Sequence, residues 1–221
     1  MDIFGFISSN LEQTLFLTWE HIWLVGLSLF IATITGIPIG IAITKNKRIA
    51  AKILGSANIM MTIPSIALFG LMLPILAVFG FGLGKVPAVI ALVLYSELPI
   101  IRNTYVAINN VDPALVDAGR GMGLPKWKLL KEVEIPLAIP VILAGLRTAA
   151  VMNIGIAAIA AYIGAGGLGV FIQQGIARSY EEMILTGALS VSMLAIVVDA
   201  GMAMLERAVT SSGVKLERKN L

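Results

Sequence analysis

The chain has 221 residues, of which 58% are hydrophobic and 13% charged, with a formal net charge of +3 at pH 7. A soluble domain is about 45–50% apolar and about 25% charged, so this composition excludes an ordinary soluble domain and indicates an integral membrane protein. The absence of cysteine from the sequence excludes disulfides, thiol catalysis and thiolate metal sites.

The first 20 residues contain Asp2, Glu12 and Glu20 but no Lys or Arg, which is unlike a secretory signal peptide. Residues 1–19 are predicted to form a short amphipathic segment ahead of the first span. The one histidine of the sequence, His21, stands at the edge of that span. We predict it to be a polar residue at the membrane interface.

Five apolar stretches are each long enough for a membrane crossing, which takes about 20 residues. The predicted spans are about 22–44, 53–79, 86–106, 137–161 and 184–205. Pro64 and Pro74 fall inside the second span and are expected to kink or break it, which membrane helices tolerate where neighbours satisfy the freed carbonyl groups. The sequence therefore predicts one all-α membrane domain at 20–205, followed by a tail at 206–221.

The basic residues are distributed unequally between the two sides of this arrangement. If the C-terminal end of the first span faces the cytoplasm, 14 of the 16 Lys and Arg residues fall on cytoplasmic flanks, and Lys85 and Arg178 fall on the outer side. The positive-inside rule then predicts an extracytoplasmic N-terminus and a cytoplasmic C-terminus in the plasma membrane. The same distribution explains the net charge without a nucleic-acid partner. The residues assigned to the inner side are Lys45, Lys47, Arg48, Lys52, Arg102, Arg120, Lys126, Lys128, Lys131, Arg147, Arg207, Lys215, Arg218 and Lys219.

The loop between the third and fourth spans is predicted to contain two short helices. Asp112 followed by Pro113 is typical of a helix start, because an N-cap acceptor precedes a proline at the first helical position. That helix should end at Gly121 or Gly123, and Pro125 should begin the second. A compact structure with an exposed aromatic face indicates a docking surface rather than a plain connection. We call residues 112–134 the knob.

The knob resembles the signature of type I ABC importer permeases, written EAA, three residues, G, nine residues and I-x-L-P. Asp117-Ala118-Gly119, Gly123 and the stretch 133–136 occupy those positions with the spacing intact. The departures are Asp for Glu, Gly for the second Ala, Val for Ile and Ile for Leu. The resemblance implies a five-helix transmembrane domain whose knob couples to a cytoplasmic ATPase. The residues it assigns to coupling are Asp117, Ala118, Gly119, Gly123, Pro125, Ile135 and Pro136.

Motifs across residues 20–205 are similar to one branch of that family, the permeases for glycine betaine, carnitine and choline. They are the stretches 61–70, 94–96, 98–104 and 161–169. The resemblance implies a subunit without enzymatic activity or cofactor, acting with an ATPase dimer that holds ATP and Mg²⁺. It also implies a second permease copy or a sister permease, an extracytoplasmic binding protein and membrane lipids.

Residues 164–169, which we call the glycine loop, match the pattern G-x-G-x-x-G. That pattern indicates dinucleotide binding only after a strand and within a βαβ unit, whereas here a spanning helix is predicted to precede it. Two interpretations remain open, a flexible break in helical geometry or an outer gate that moves near the substrate. The predicted path and gate residues are Tyr95, Glu97, Asn153, Tyr162, Gly164, Gly166, Gly167 and Gly169.

Glu97 falls near the middle of the third span, where a charge usually faces a cavity or a partner. With Tyr95 two residues away, it is a candidate for guiding a quaternary ammonium, since such cations bind aromatic faces. The alternatives are a protonated side chain or a pair with Arg102. Asp199 is predicted to make a helix-packing hydrogen bond or to lie at the interface, and Asn103 and Asn153 to line the path or join helices.

Two other functions stay open on the sequence. A secondary transporter would work without ATP, but the internal repeats and paired broken helices common in such folds are not visible in the sequence. A permease for an amino acid such as methionine would share the five-helix plan and a similar glycine motif.

Overall fold

The computed structural model describes residues 3–209, and the regular structure in them is helical. The part of the predicted tail from residue 210 onward lies outside the described residues. Ten α-helices follow in order: α1 Ile3–Ser9, α2 Leu11–Ile43, α3 Lys47–Thr62, α4 Ser65–Ala77, α5 Lys85–Asn109, α6 Pro113–Gly121, α7 Lys126–Leu129, α8 Ile135–Ala160, α9 Gly169–Arg178 and α10 Glu181–Val209. A π-helical turn, Leu130–Glu134, joins α7 to α8, and a 3-10 turn, Ala161–Ile163, follows α8.

Four helical stretches of the described chain are long and apolar enough to cross a membrane, and the pair α3 and α4 supplies a fifth if it counts as one bent span. These stretches correspond to the five predicted spans. The stretch that contains α8 is longer than predicted, because α7 and the π-helical turn continue into it to give 38 helical residues, Lys126–Ile163.

The helix that contains the first predicted span is longer than that span. α2 starts at Leu11 rather than near residue 22, so the predicted amphipathic segment 1–19 is divided between α1 and the first turns of α2. α1 is held by Phe6, whose ring meets the rings of Phe171 and Tyr180 edge to face at centroid distances of 5.9 and 5.5 Å. This aromatic packing fixes α1 against the corner between α9 and α10.

The second span breaks at Pro64, and its two halves are bent by 99°. Proline disfavours helical geometry at the preceding residue, and Ile63 accordingly adopts φ −72° and ψ 125°. The Tyr95 hydroxyl donates a hydrogen bond to the freed Ile63 carbonyl, so α5 satisfies the backbone at the break. Pro74, the second predicted kink, lies inside α4 without ending it.

α2, α5 and α8 form the centre of the bundle, because small residues let their backbones approach closely. A Cβ built on Gly40 would lie 2.6 Å from Thr104 Cβ, and one built on Gly145 would lie 2.6 Å from Asn103 Cβ. Such close packing substitutes for the hydrophobic effect, which does not drive helices together inside a lipid bilayer.

Arg147 lies within α8 rather than on the cytoplasmic flank to which the charge count assigned it. Its guanidinium makes two hydrogen bonds to Asp199 of α10, Nε to Oδ1 at 2.6 Å and Nη2 to Oδ2 at 2.7 Å. Nη1 also lies 3.8 Å from Glu206 Oε2. A charge inside a span needs such partners, and the pairing agrees with a helix-packing role for Asp199.

Candidate functional site

The knob begins as the sequence predicted. Asp112 caps α6 by accepting a hydrogen bond from the Ala114 amide at 2.8 Å, and Pro113 occupies the first turn. The helix ends at Gly121. Gly123 then adopts φ +79°, which reverses the chain, and Leu124 N–H bonds back to the Gly119 carbonyl at 3.1 Å. This is the glycine-dependent end that α-helices commonly use.

Gly119 faces the interior of the knob. It is buried, and a Cβ at this position would lie 2.6 Å from Leu129 Cδ1. The resemblance assigned Gly119 to coupling, and in the structure its small size serves the packing of α6 against α7 within this chain. Ala118 and Gly123 are exposed and remain available to a partner.

The outer surface of the knob carries Asp117, Pro125 and Trp127, all exposed, with the Trp127 side chain 68% accessible. Asp117 pairs with Arg120 at 3.1 Å, one helical turn away. Ile135 is half-buried and packs against a cluster that includes Ala107 and Ile142, so it joins the knob to the bundle. The exposed Pro136 occupies the first turn of α8.

The glycine loop lies at the other end of α8, after the 3-10 turn. Gly164, Gly166 and Gly167 have φ of +80°, +83° and +78°, a region that residues with a side chain rarely adopt. Gly169 passes so close to α8 that its Cβ would lie 1.9 Å from the Ala158 carbonyl oxygen. The preceding element is α8 rather than a strand, so the loop lacks the structural context of a dinucleotide site.

Glu20 and His21 of α2 contact the glycine loop directly. Glu20 Oε2 accepts a hydrogen bond from the Gly167 amide, and His21 Nδ1 accepts one from the Leu168 amide, both at 3.2 Å. His21 Nε2 lies 3.0 Å from the Ile154 carbonyl oxygen, which can only accept. The ring is therefore neutral, with its proton on Nε2. The prediction of an interfacial histidine was wrong, because His21 is completely buried.

Lys85 connects the same place to α5. Its ammonium lies 2.6 Å from Glu20 Oε1 and 5.7 Å from the centroid of the Trp23 ring. The neighbouring Gly84 amide donates to the Ile163 carbonyl at 2.8 Å. Sequence reasoning missed these contacts of Glu20, His21 and Lys85. The adjacent polar residues Glu20 and His21 at the edge of an apolar helix were a signal that polar partners lay nearby.

The predicted path residues do not share one cavity. Tyr162, Gly164 and Gly166 line an open depression of about 610 Å³, together with Gln173 and Gln174, whereas the buried Gly167 and Gly169 do not line it. Tyr95, Glu97 and Asn153 are not among its lining residues and sit between helices instead.

Tyr95 and Asn153 are buried and hold helices together. Besides the bond from Tyr95 to Ile63, Asn153 Nδ2 donates to Ser96 Oγ at 2.7 Å, which joins α8 to α5. Asn153 Oδ1 has no hydrogen-bond partner among the described residues. The geometry favours the helix-joining alternative for Asn153. Asn103 donates to the Pro99 carbonyl of its own helix at 2.8 Å.

Glu97 is half-buried and has one free oxygen. Its Oε1 accepts a hydrogen bond from Thr35 Oγ1 at 2.6 Å, whereas Oε2 is without a partner in residues 3–209. The ion pair with Arg102 that the sequence left open does not form among those residues. A carboxylate with an unused oxygen can still receive a cation or a proton.

Comparison with known proteins places this arrangement in one family. Residues 36–211 match the model of the binding-protein-dependent transport system inner membrane component. The osmoprotectant import permease protein OsmW of Salmonella typhimurium is 47% identical over 97% of this chain and 100% of its own length. The glycine betaine/carnitine/choline transport system permease protein OpuCB of Bacillus subtilis is 41% identical over 95% of this chain and 94% of its own.

A solved structure of the MetNI methionine ABC transporter in an inward-facing conformation has the same fold. Its matching chain superimposes with a TM-score of 0.79 at 24% identity, over 87% of this chain and 94% of that one. The predicted all-α permease fold is confirmed. From the family match and the two relatives, the chain belongs to the family of inner membrane components of binding-protein-dependent transport systems.

Proposed function

We propose that the chain is the permease subunit of an ATP-driven importer for quaternary-amine solutes such as glycine betaine, carnitine or choline. The observation that carries this proposal is the 47% identity to an osmoprotectant import permease over the full length of that relative. The 41% identical relative, named for glycine betaine, carnitine and choline, supports the same substrate class. The subunit forms the path and leaves ATP hydrolysis to a partner.

The knob is the surface that we assign to the ATPase. Its helices are fixed to each other by Gly119 and Leu129 and to the bundle by Ile135, so it is a rigid projection. Asp117, Ala118, Pro125 and Trp127 form its exposed side. The positive-inside rule supports a cytoplasmic position for the knob and an extracytoplasmic N-terminus. Two ATPase subunits holding ATP and Mg²⁺, a second permease and a binding protein would complete the transporter.

We assign the substrate side to the depression at the glycine loop and to Glu97. Glu97 Oε2 is a buried oxygen without a hydrogen-bond partner among residues 3–209. A carboxyl group inside a span usually faces a partner or a cavity, which supports a role in guiding a cationic solute. Tyr95 is only 4% exposed and its hydroxyl is bonded to Ile63, so its contribution is to shape the bent span, whereas Glu97 contacts Thr35 of α2. Capture of the solute with high affinity would belong to the binding protein.

Uptake in reconstituted vesicles tests the function. The complex with its ATPase and binding protein should accumulate labelled betaine, carnitine or choline only when ATP is supplied to the knob side. Accumulation driven by an ion gradient alone would identify a secondary transporter, and preference for methionine would identify an amino-acid importer. Either result contradicts the proposal.

The orientation has its own test, because the sequence contains no cysteine. A single cysteine at Lys126, in the knob, should react with an impermeant thiol reagent added from the cytoplasmic side. Reaction with reagent added only from outside would reverse the topology and contradict the coupling role.

Gly167 tests the gate. Gly167→Leu should lower uptake while membrane insertion stays normal, because a side chain at φ +78° is strained and a Cβ would lie 3.0 Å from His21 Nδ1. Unchanged uptake would remove the gate from the proposal.

A further inference from the structure

We propose that Glu20 and His21 form a clamp that holds the glycine loop against the bundle, so that the loop moves only when these two side chains release it. The inference rests on the proposed function to the extent that the loop is the gate of an importer. The clamp residues precede residue 36, where the family match begins, so they are not among the residues by which the family is recognised.

Backbone hydrogen bonding is the first argument. Gly167 and Leu168 are buried, and a buried amide without an acceptor is costly. The acceptors that the structure provides for these two amides are Glu20 Oε2 and His21 Nδ1. Two neighbouring side chains of α2 therefore satisfy two consecutive amides of the loop. Any movement of the loop away from α2 breaks both bonds together.

The close approach of α2 is the second argument. A Cβ on Gly166 would lie 2.3 Å from Glu20 Oε2 and 3.0 Å from Glu20 Cδ. The glycine at this position is needed for contact with the clamp as well as for its positive φ. The glycines of the loop therefore leave the space that these two side chains occupy, in addition to making the backbone flexible.

The other contacts of the two clamp residues form the third argument. His21 Nε2–H bonds to the Ile154 carbonyl of α8, and Glu20 Oε1 bonds to Lys85 at the start of α5. Lys85 in turn lies over Trp23. The clamp thereby positions the loop relative to α2, α5 and α8 at once, and a shift among these three helices would strain or relax it.

Thiol labelling in the assembled transporter measures release of the loop directly. Ala165 is fully buried in the loop, so an Ala165→Cys reporter should react slowly with an impermeant maleimide. Tyr162, which is 49% exposed just before the loop, supplies the matched control as Tyr162→Cys. Each reporter is combined with Glu20→Ala or His21→Ala. We expect labelling of residue 165 to accelerate about tenfold, the equivalent of about 1.4 kcal/mol, and labelling of residue 162 to stay unchanged.

Conservative variants separate the clamp from a general structural role. Glu20→Gln and His21→Asn each retain an acceptor for the loop amide, so labelling of residue 165 should stay within about threefold of its starting rate. The exchange Glu20→Lys with Lys85→Glu restores opposite charges but puts no acceptor opposite Gly167, so labelling should remain fast. If that exchange restores slow labelling, the ion pair holds the loop and the clamp proposal is wrong.

If the Ala165→Cys complex fails to assemble, release of the loop can be measured from hydrogen exchange of the Leu168 amide in the complex without the cysteine reporter. Protection should fall about tenfold in Glu20→Ala and His21→Ala, and unchanged protection would overturn the clamp. The two proposals fail separately. Absence of ATP-driven uptake by the wild-type complex contradicts the importer, whereas unaltered labelling and exchange in the alanine variants contradict the clamp even if uptake is normal.

Discussion

Gly145 on α8 allows the packing of the central helices to be tested quantitatively. In Gly145→Ala the new Cβ would lie 2.6 Å from Asn103 Cβ and 2.8 Å from the Pro99 carbonyl oxygen. Because the second atom belongs to the backbone of α5, a side-chain rotation cannot relieve the contact, and α5 and α8 have to separate. Overpacking of this kind costs about 1–3 kcal/mol. Alanine also favours a helix over glycine by about 1 kcal/mol, which offsets part of the cost.

We therefore expect Gly145→Ala to lower the free energy of unfolding by up to about 2 kcal/mol, since about 1 kcal/mol of the cost is offset. For a chain of this size that corresponds to a fall of up to about 8 °C in the unfolding temperature. The three tryptophans allow unfolding of the detergent-solubilised subunit to be followed by intrinsic fluorescence during heating.

Gly155→Ala is the matched control, because Gly155 is an exposed glycine of the same helix. A Cβ there would meet no heavy atom within 4 Å, so the helix propensity of alanine acts alone. Its unfolding temperature should be unchanged or slightly higher. Equal unfolding temperatures for the two variants would refute the argument that contact between α5 and α8 requires glycine at 145.

The remaining predictions concern the ion pair, the knob and the carboxylate in the third span. Arg147→Gln should lower the unfolding temperature because Asp199 loses both hydrogen bonds. Adding Asp199→Asn should recover most of the loss, and a double variant less stable than the single one would contradict the pairing. Gly119→Leu should reduce co-purification of the ATPase because the leucine side chain collides with Leu129, and adding Leu129→Ala should restore it. Full binding of the ATPase by Gly119→Leu alone would show that the interior of the knob tolerates a leucine side chain. Glu97→Gln should reduce choline uptake by vesicles, and undiminished uptake would remove Glu97 from the cation path.

Sequence reasoning predicted those parts of the fold that depend on local chemistry. The helix start at Asp112 and Pro113 depends only on residues that are adjacent in the sequence. Pro64 likewise interrupts its helix through a clash with the residue before it. The minimum length of each apolar stretch follows from the thickness of the bilayer. These features need no knowledge of what the rest of the chain does.

Features that depend on tertiary partners could not be predicted in the same way. The sequence did not predict that α2 begins at Leu11, because Glu12, Glu20 and His21 interrupt the apolar pattern. The structure supplies partners for Glu20 and His21. The inward orientation of Gly119 depends on Leu129, ten residues later. Arg147 was assigned to a flank because its partner Asp199 lies in another helix. In each case an ionisable or small residue took its role from a distant segment.

The continuous helical stretch from Lys126 to Ile163 has a mechanical consequence. Its 38 residues, at 1.5 Å per residue, form a rod of up to about 57 Å with the knob at one end and the glycine loop at the other. If the helix tilts about a point along its length, a displacement of the knob would move the glycine loop in the opposite direction. The π-helical turn at Leu130–Glu134 is the irregular point of the rod, so its geometry would determine how much of a push becomes tilt and how much becomes local bending.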